Sequence, residues 1–193
     1  MTEVLYTLIT AAIVENVLFA RAMGTHDMII HSGTYKGIAQ YTVGVALISL
    51  LGGALSWSLR IPLLRIEIWS LVRWPVVLLS VTFVFVILML LNDRVLHIRS
   101  IKRNVFTTMT FNGAAFGTIL LALASAERLF ATLTYILGCS AGLGIAMFLL
   151  HAGREQMEYS KLPRSFQGLP IILIYIGILS LAICGLIGHQ LPT

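Results

Sequence analysis

The sequence predicts an all-α integral membrane protein with six transmembrane helices in two inverted three-helix repeats, of which the first and fourth helices are broken. Of the 193 residues, 58% are apolar and only 11% are charged, and the mean hydropathy is +0.93. A soluble domain carries about 25% charged residues. Uncharged apolar runs recur six times, and polar residues interrupt the chain at corresponding places in its two halves. Such paired interruptions are typical of broken helices that meet near the bilayer midplane.

The lengths of the uncharged runs define the predicted helices in order. The first run, residues 4–14, rises only about 16 Å as a helix, which is half of a bilayer core, before Glu15 interrupts it. The other five runs are long enough to span: 37–59, 74–91, 104–126, 129–150 and 169–187. We therefore predict one transmembrane domain, 1–193, with repeat one at about 1–92 and repeat two at about 103–193. Because each repeat has an odd number of helices, the second enters the membrane upside down.

The fourth run carries the clearest polar centre, residues 107–117 (TTMTFNGAAFG), and residues 14–24 (VENVLFARAMG) are a weaker counterpart. Lipid offers such groups no hydrogen-bond partner, so they are expected to serve a purpose. Glu15, Asn16, Thr110 and Asn112 are therefore candidates for an ion pathway. Two alternatives remain open. The first helix can end early, with Glu15 solvated or paired with Arg21, and Asn112 with its neighbouring threonines can simply satisfy the freed backbone of a broken helix.

Lysine and arginine predict the orientation. Nine of the 13 lie in the loops after the first, third and fifth helices, and four lie on the opposite side. The positive-inside rule places the first set in the cytoplasm and both termini outside. The net charge of +5 is therefore no nucleic-acid footprint. The basic run Arg94, His97, Arg99, Lys102 and Arg103 sets topology, or alternatively docks a cytoplasmic partner; an outer aromatic belt is predicted at Trp57, Trp69 and Trp74.

No residue pattern supports a self-contained enzyme, since the sequence has no nucleophile–base set, nucleotide-binding loop or haem motif. Cys139 and Cys184 lie inside apolar runs on different helices, which favours two small buried hydrophobes over ligands. His26, Asp27 and His31 form a polar cluster in the predicted first cytoplasmic loop. Because two histidines five residues apart in a loop are usually solvated, we expect no metal site there.

The C-terminal third carries a family signature. Gly153-Arg154-Glu155-Gln156, residues 162–174 (LPRSFQGLPIILI) and residues 178–188 resemble the A-type membrane subunit of the Rnf/Nqr family. The resemblance covers essentially the whole chain, and its points in the two broken helices are Asn16, Arg21, Gly24, Asn112, Ala114 and Gly117. The family fold, six helices in two inverted repeats, is similar to the one that spacing and charge predict.

The resemblance implies a place in an ion-translocating electron-transport complex of a prokaryotic cytoplasmic (inner) membrane. There the A-type subunit pairs with a homologous E-type subunit of opposite orientation, beside the other subunits of the complex. Each of the pair contributes two cysteines, one from each broken helix, to a shared iron–sulfur cluster through which electrons cross the membrane. Thiolates suit that role because iron–sulfur clusters are held by soft sulfur ligands. Electron passage is coupled to sodium or proton movement, and nucleic acid is not a partner.

This chain departs from the family at the cluster itself. The first family cysteine falls on His26, and the second falls on Gly113, which has no side chain to bind iron. We therefore expect no cluster in this chain, and we predict a non-catalytic, cluster-less membrane subunit of an Rnf/Nqr-type oxidoreductase (translocase) complex. The alternative is a non-redox transporter or scaffold paralogue that kept the inverted-repeat fold.

Overall fold

The computed structural model describes residues 2–65, 67–92, 103–126, 128–158 and 163–187, and every regular element in these ranges is helical. Helix α1 (Thr2–Ile9) continues as a π-helical turn (Thr10–Val14). After an irregular segment come α2 (Thr25–His31), α3 (Tyr35–Arg65), α4 (Trp69–Leu91), α5 (Arg103–Thr110), α6 (Gly113–Ser125), α7 (Leu129–Glu158) and α8 (Leu169–Ile187), with a short 3-10 helix (Arg164–Phe166) before α8.

Four helical segments within the described residues are long and apolar enough to cross a membrane. They are α3, α4, the α5–α6 pair taken over Val105–Ser125, and most of α7, Leu129–Met157. The segments Thr2–Val14 and Leu169–Gly185 are apolar but shorter. An all-helical, multi-pass membrane protein is thus confirmed, because a spanning segment must pair its own backbone groups, and a helix does so.

Several helices extend past the uncharged runs that predicted them. Helix α3 reaches Arg65 and α7 reaches Glu158, because charged side chains at a helix end can extend into the interfacial water while the backbone stays helical. The placement of His26, Asp27 and His31 in a loop is wrong, since all three lie on α2. The predicted topology signals Arg94, His97, Arg99, Lys102 and Lys161 lie outside the described residues.

Helices α3 and α7 form the centre of the bundle and run antiparallel. Gly144 of α7 faces Thr42 near the start of α3, whereas Ile136, earlier in α7, faces Gly53, later in α3. A Cβ on Gly144 would lie 3.1 Å from the Thr42 side chain. Small residues let membrane helices approach this closely, where dispersion replaces the hydrophobic effect as the packing force.

Each broken segment packs against the central helix of the other half of the chain. Helix α1 and its π turn lie on α7, where Gly138 faces Leu8 and Ala11, and Gly142 faces Ala12. Helices α5 and α6 lie on α3, where Gly44 faces Met109 and Gly52 faces Ile119. The buried core therefore surrounds the two breaks and fixes where their polar side chains can reach.

Candidate functional site at the two helix breaks

Asn16 ends the first broken segment and uses all of its side-chain hydrogen-bonding capacity. Its Oδ1 accepts from the backbone amides of Leu18 (3.0 Å) and Phe19 (3.3 Å). Its Nδ2 donates to the carbonyl oxygens of Ala12 and Gly142, each at 2.9 Å. An amide side chain has two donors and two acceptor sites. Asn16 is thus a saturated fastener between the break and α7, with only 3% of its surface exposed.

Asn112 plays the matching part at the second break. It is the N-cap of α6, and its Oδ1 accepts from the Ala114 amide at 2.7 Å, a contact that satisfies one unpaired helix-start donor. Its Nδ2 donates to the hydroxyl of Tyr41 on α3. The ring of Tyr41 in turn stacks on His31, with centroids 4.7 Å apart. The second break is therefore tied to α3 and, through His31, to the end of α2.

The two breaks touch each other at Gly24. Its φ of +77° is a left-handed conformation that favours glycine, and Ala22, two residues earlier, is also left-handed at +53°. A Cβ on Gly24 would lie 2.7 Å from Asn112 Oδ1 and 2.8 Å from Ala114 Cβ. Close contact of the irregular segment 15–24 with the start of α6 thus requires glycine at this position, both for its conformation and for its lack of a side chain.

Glu15 has a partner that the sequence did not indicate. Its Oε2 accepts a hydrogen bond from the hydroxyl of Tyr135 on α7. The pairing with Arg21 is not formed, since the one ion pair among the described residues joins His151 and Glu155. A half-buried carboxylate without a cation beside it is unusual at membrane depth, where acids generally face a pathway or a partner.

The four ion-pathway candidates therefore differ in what they have left to offer an ion. Asn16 is saturated, and the Thr110 hydroxyl already donates to the carbonyl of Phe106 at 2.9 Å within its own helix. Asn112 keeps one N–H and one lone pair but is buried. Glu15 alone of the four keeps both a charge and an oxygen with no protein hydrogen bond in the described structure. The role of backbone satisfaction thus fits Thr110 well.

The positions of the family cysteines lie side by side but do not fit a cluster. A Cβ at position 113 would lie 3.4 Å from the Gly24 amide nitrogen, two residues before His26, and residues 26 and 113 are both exposed. Position 113 has no ligand atom, so at most one imidazole remains where the cluster needs two thiolates from each subunit. Cys139 is buried in α7 and Cys184 is exposed on α8. No group of three potential metal ligands occurs within the residues described.

Two tyrosines of the site could not be picked out from the sequence. Tyr41 and Tyr135 each lie six residues after the first residue of α3 and α7, and each contacts the break from the opposite half of the chain. Their hydroxyls lie within apolar runs, where a tyrosine resembles an ordinary core aromatic. Their equal spacing from the helix starts was the available signal.

Comparison with known proteins gives relatives over nearly the whole chain. The protein named A in the ion-translocating oxidoreductase complex of Alkalilimnicola ehrlichii is 25% identical over 97% of this chain and 98% of its own length. Its counterpart in Glaesserella parasuis is 36% identical over a shorter stretch, 42% of each chain. The protein named E in the Na(+)-translocating NADH-quinone reductase of Chlamydia pneumoniae is 20% identical over 94% of this chain and 76% of its own.

No protein-family model matches the chain. The relatives nevertheless confirm the resemblance drawn from the C-terminal signature and from the two breaks, because their similarity extends over both halves of the sequence.

Proposed function

We propose that this chain, an RnfA/NqrE-like protein by its near-full-length relatives, is a membrane subunit of an ion-translocating electron-transport complex. Its near-full-length similarity to subunits named for such complexes carries the proposal. The membrane-capable helices support it, as does the position of the two breaks where the resemblance expects them. We place the chain in the cytoplasmic membrane of a prokaryote with both termini outside, because the loops after the first, third and fifth helices hold most of the lysine and arginine.

The proposed architecture is six transmembrane helices in two inverted repeats. In repeat one the pair α1–α2 forms the broken helix and α3 and α4 follow, and in repeat two α5–α6, α7 and α8 repeat this order. The antiparallel contact of α3 with α7 supports the inversion. So do the exchanged fastenings, in which Asn16 bonds to α7 and Asn112 bonds to α3.

The proposed partner is a homologous E-type subunit of opposite orientation, seated over the exposed positions 26 and 113. Phe111 is half exposed beside position 113 and its ring packs edge-on against Phe85, so this face is apolar as well as polar. With at most one ligand atom available here, the redox groups are expected on partner chains. We expect this chain to contribute helix packing and ion passage.

Ion passage is proposed at Glu15, held by Tyr135. Changing Glu15 to glutamine should lower ion uptake per electron transferred by about tenfold, because the loss of one charged contact is equivalent to about 1.5–3 kcal/mol. Tyr135→Phe, which removes the only donor to that carboxylate among the described residues, should produce a smaller loss in the same direction. Electron transfer itself should change by less than about twofold, because neither residue would hold a redox group.

The experiment uses the complex purified through a tag on this chain and reconstituted in vesicles. NADH is the first reductant to try, since one relative is named as part of an NADH-quinone reductase. Uptake is followed separately for sodium and for protons, with Thr110→Val as the matched control because that hydroxyl only serves its own helix. Equal coupling in Glu15→Gln and the unchanged complex would rule out the pathway. A purified chain with no redox partner would instead favour the transporter or scaffold alternative.

A further inference from the structure

The Gly153-Arg154-Glu155 motif contacts the end of α2, and the proposed function does not use this contact. Nη1 of Arg154 donates to the carbonyl oxygen of Ile29 at 2.7 Å and to Oγ of Ser32 at 3.1 Å. One turn earlier on α7, Nδ1 of His151 lies 2.8 Å from the carbonyl oxygen of Ser32. The last carbonyls of a helix have no partner within it, and positive side chains there are stabilising. Helix α7 therefore supplies the cap that α2 lacks.

The ring of His151 has hydrogen-bond acceptors on both sides. Nδ1 faces the Ser32 carbonyl, and Nε2 lies 3.5 Å from Oε1 of Glu155. Only the doubly protonated imidazolium can donate from both nitrogens. The ring is also buried and meets Tyr35 of α3 edge-on at 4.4 Å between centroids. The geometry thus fits a charged His151 best.

The other titratable groups around His151 come from all four neighbouring helices. Arg154 lies on α7 beside Glu155 and opposes the imidazolium charge, while Glu155 favours it. Helix α3 presents Tyr35, and α2 presents His31, whose ring is stacked on Tyr41. Helix α8 presents Tyr175, packed flat over Gly153, where a Cβ would lie 2.8 Å from its hydroxyl oxygen and closer to its ring. Glu155 is the sole carboxylate seen in contact with the ring among the described residues.

We propose that His151, Arg154 and Glu155 form a positioning clamp that fixes α2, and that the clamp is complete only while His151 is protonated. Helix α2 is seven residues long and follows the left-handed turn at Gly24, so little else orients it. Because α2 carries residue 26, the clamp sets the shape of the face on which the homologous subunit is proposed to sit. This last consequence rests on the proposed function, whereas the clamp does not.

The test is amide hydrogen exchange of peptides covering residues 25–34 in the full chain, held in lipid nanodiscs. Arg154→Ala should speed exchange there by at least about tenfold, since two hydrogen bonds from a charged group are lost. Arg154→Lys should lie between the two, because a single ammonium cannot reproduce the planar guanidinium. Arg65→Ala, which removes an exposed arginine at the far end of α3, is the control and should leave α2 unchanged.

A pH series separates the clamp from a purely structural contact. After correction for intrinsic exchange chemistry, protection of residues 25–34 should fall between about pH 5.5 and 8.5 as His151 loses its second proton. In His151→Gln the corrected protection should be lower and flat across that range. Protection that is equally pH-dependent in His151→Gln, or unaltered exchange in Arg154→Ala, would overturn the clamp.

Co-purification of the membrane partner with Arg154→Ala separates this inference from the proposed function. Faster exchange together with weaker partner recovery supports both. Faster exchange with full recovery leaves the clamp standing and contradicts the partner face over residue 26. Unchanged exchange contradicts the clamp whatever the recovery.

Discussion

Replacing Gly142 with alanine is expected to destabilise the protein by about 3 kcal/mol, the upper part of the range for overpacking a tight contact. The new Cβ would lie 2.9 Å from the Cα of Ala12 and closer still to its carbonyl oxygen. Both atoms belong to the backbone of the π-helical turn and cannot move aside as a flexible side chain would. The turn would have to shift from α7, and the bond from Asn16 to the Gly142 carbonyl would lengthen with it.

The measurement is the free energy of unfolding in mixed detergent micelles, followed by circular dichroism. Gly177→Ala on α8 is the matched control, since no heavy atom lies within 4 Å of its Cβ position. That change should be neutral or stabilising by up to about 1 kcal/mol, because alanine is the better helix former. If the two variants were equally stable, the first break would not be seated on α7.

The two asparagines are expected to respond differently to the same substitution. Asn16→Asp replaces an amide that donates to two carbonyl oxygens with a carboxylate that would face both of them, which should cost about 3 kcal/mol or more. Asn112→Asp keeps the acceptor for the Ala114 amide, and aspartate is as good an N-cap as asparagine. The Tyr41 hydroxyl can also reverse and donate to the new carboxylate. Its cost should therefore be about 1 kcal/mol or less.

The same unfolding measurement checks this difference, with leucine at each position as the reference for complete loss of the side-chain bonds. Each leucine variant should be strongly destabilised, because buried amides and carbonyls lose their partners. Equal losses for the two aspartate variants would contradict the hydrogen-bond assignments at one of the breaks.

The positions of both breaks could be predicted because their causes are local. An asparagine within an apolar run offers its own side chain to the backbone, and this competition with the helix can be read from the sequence at Asn16 and Asn112. Their partners could not be predicted, since the Gly142 carbonyl lies 126 residues from Asn16 and the Tyr135 hydroxyl lies 120 residues from Glu15. Only the packing of the two halves against each other brings these groups together.

Helix α2 shows the same limit from the other side. Its seven residues, THDMIIH, are too few and too polar for helical periodicity to be visible, so the sequence by itself indicates a loop. What makes them helical is tertiary: Gly24 turns the chain in a left-handed conformation, and Arg154 and His151 cap the far end. The family signature at residues 153–156 can be recognised from the sequence, but its contact with α2 required the structure.

The most direct test of the proposed partner face is site-specific photo-cross-linking from position 26 in native membranes. A photoreactive amino acid replaces His26 in the full chain, and a second variant carries it at Leu181 on α8, which is 74% exposed on a surface with no proposed partner. We expect position 26 to yield an adduct with a second multi-pass membrane subunit related in sequence to this chain, and position 181 to yield none. Adducts with that subunit from both positions, or from neither, would contradict a specific partner face at the two helix breaks.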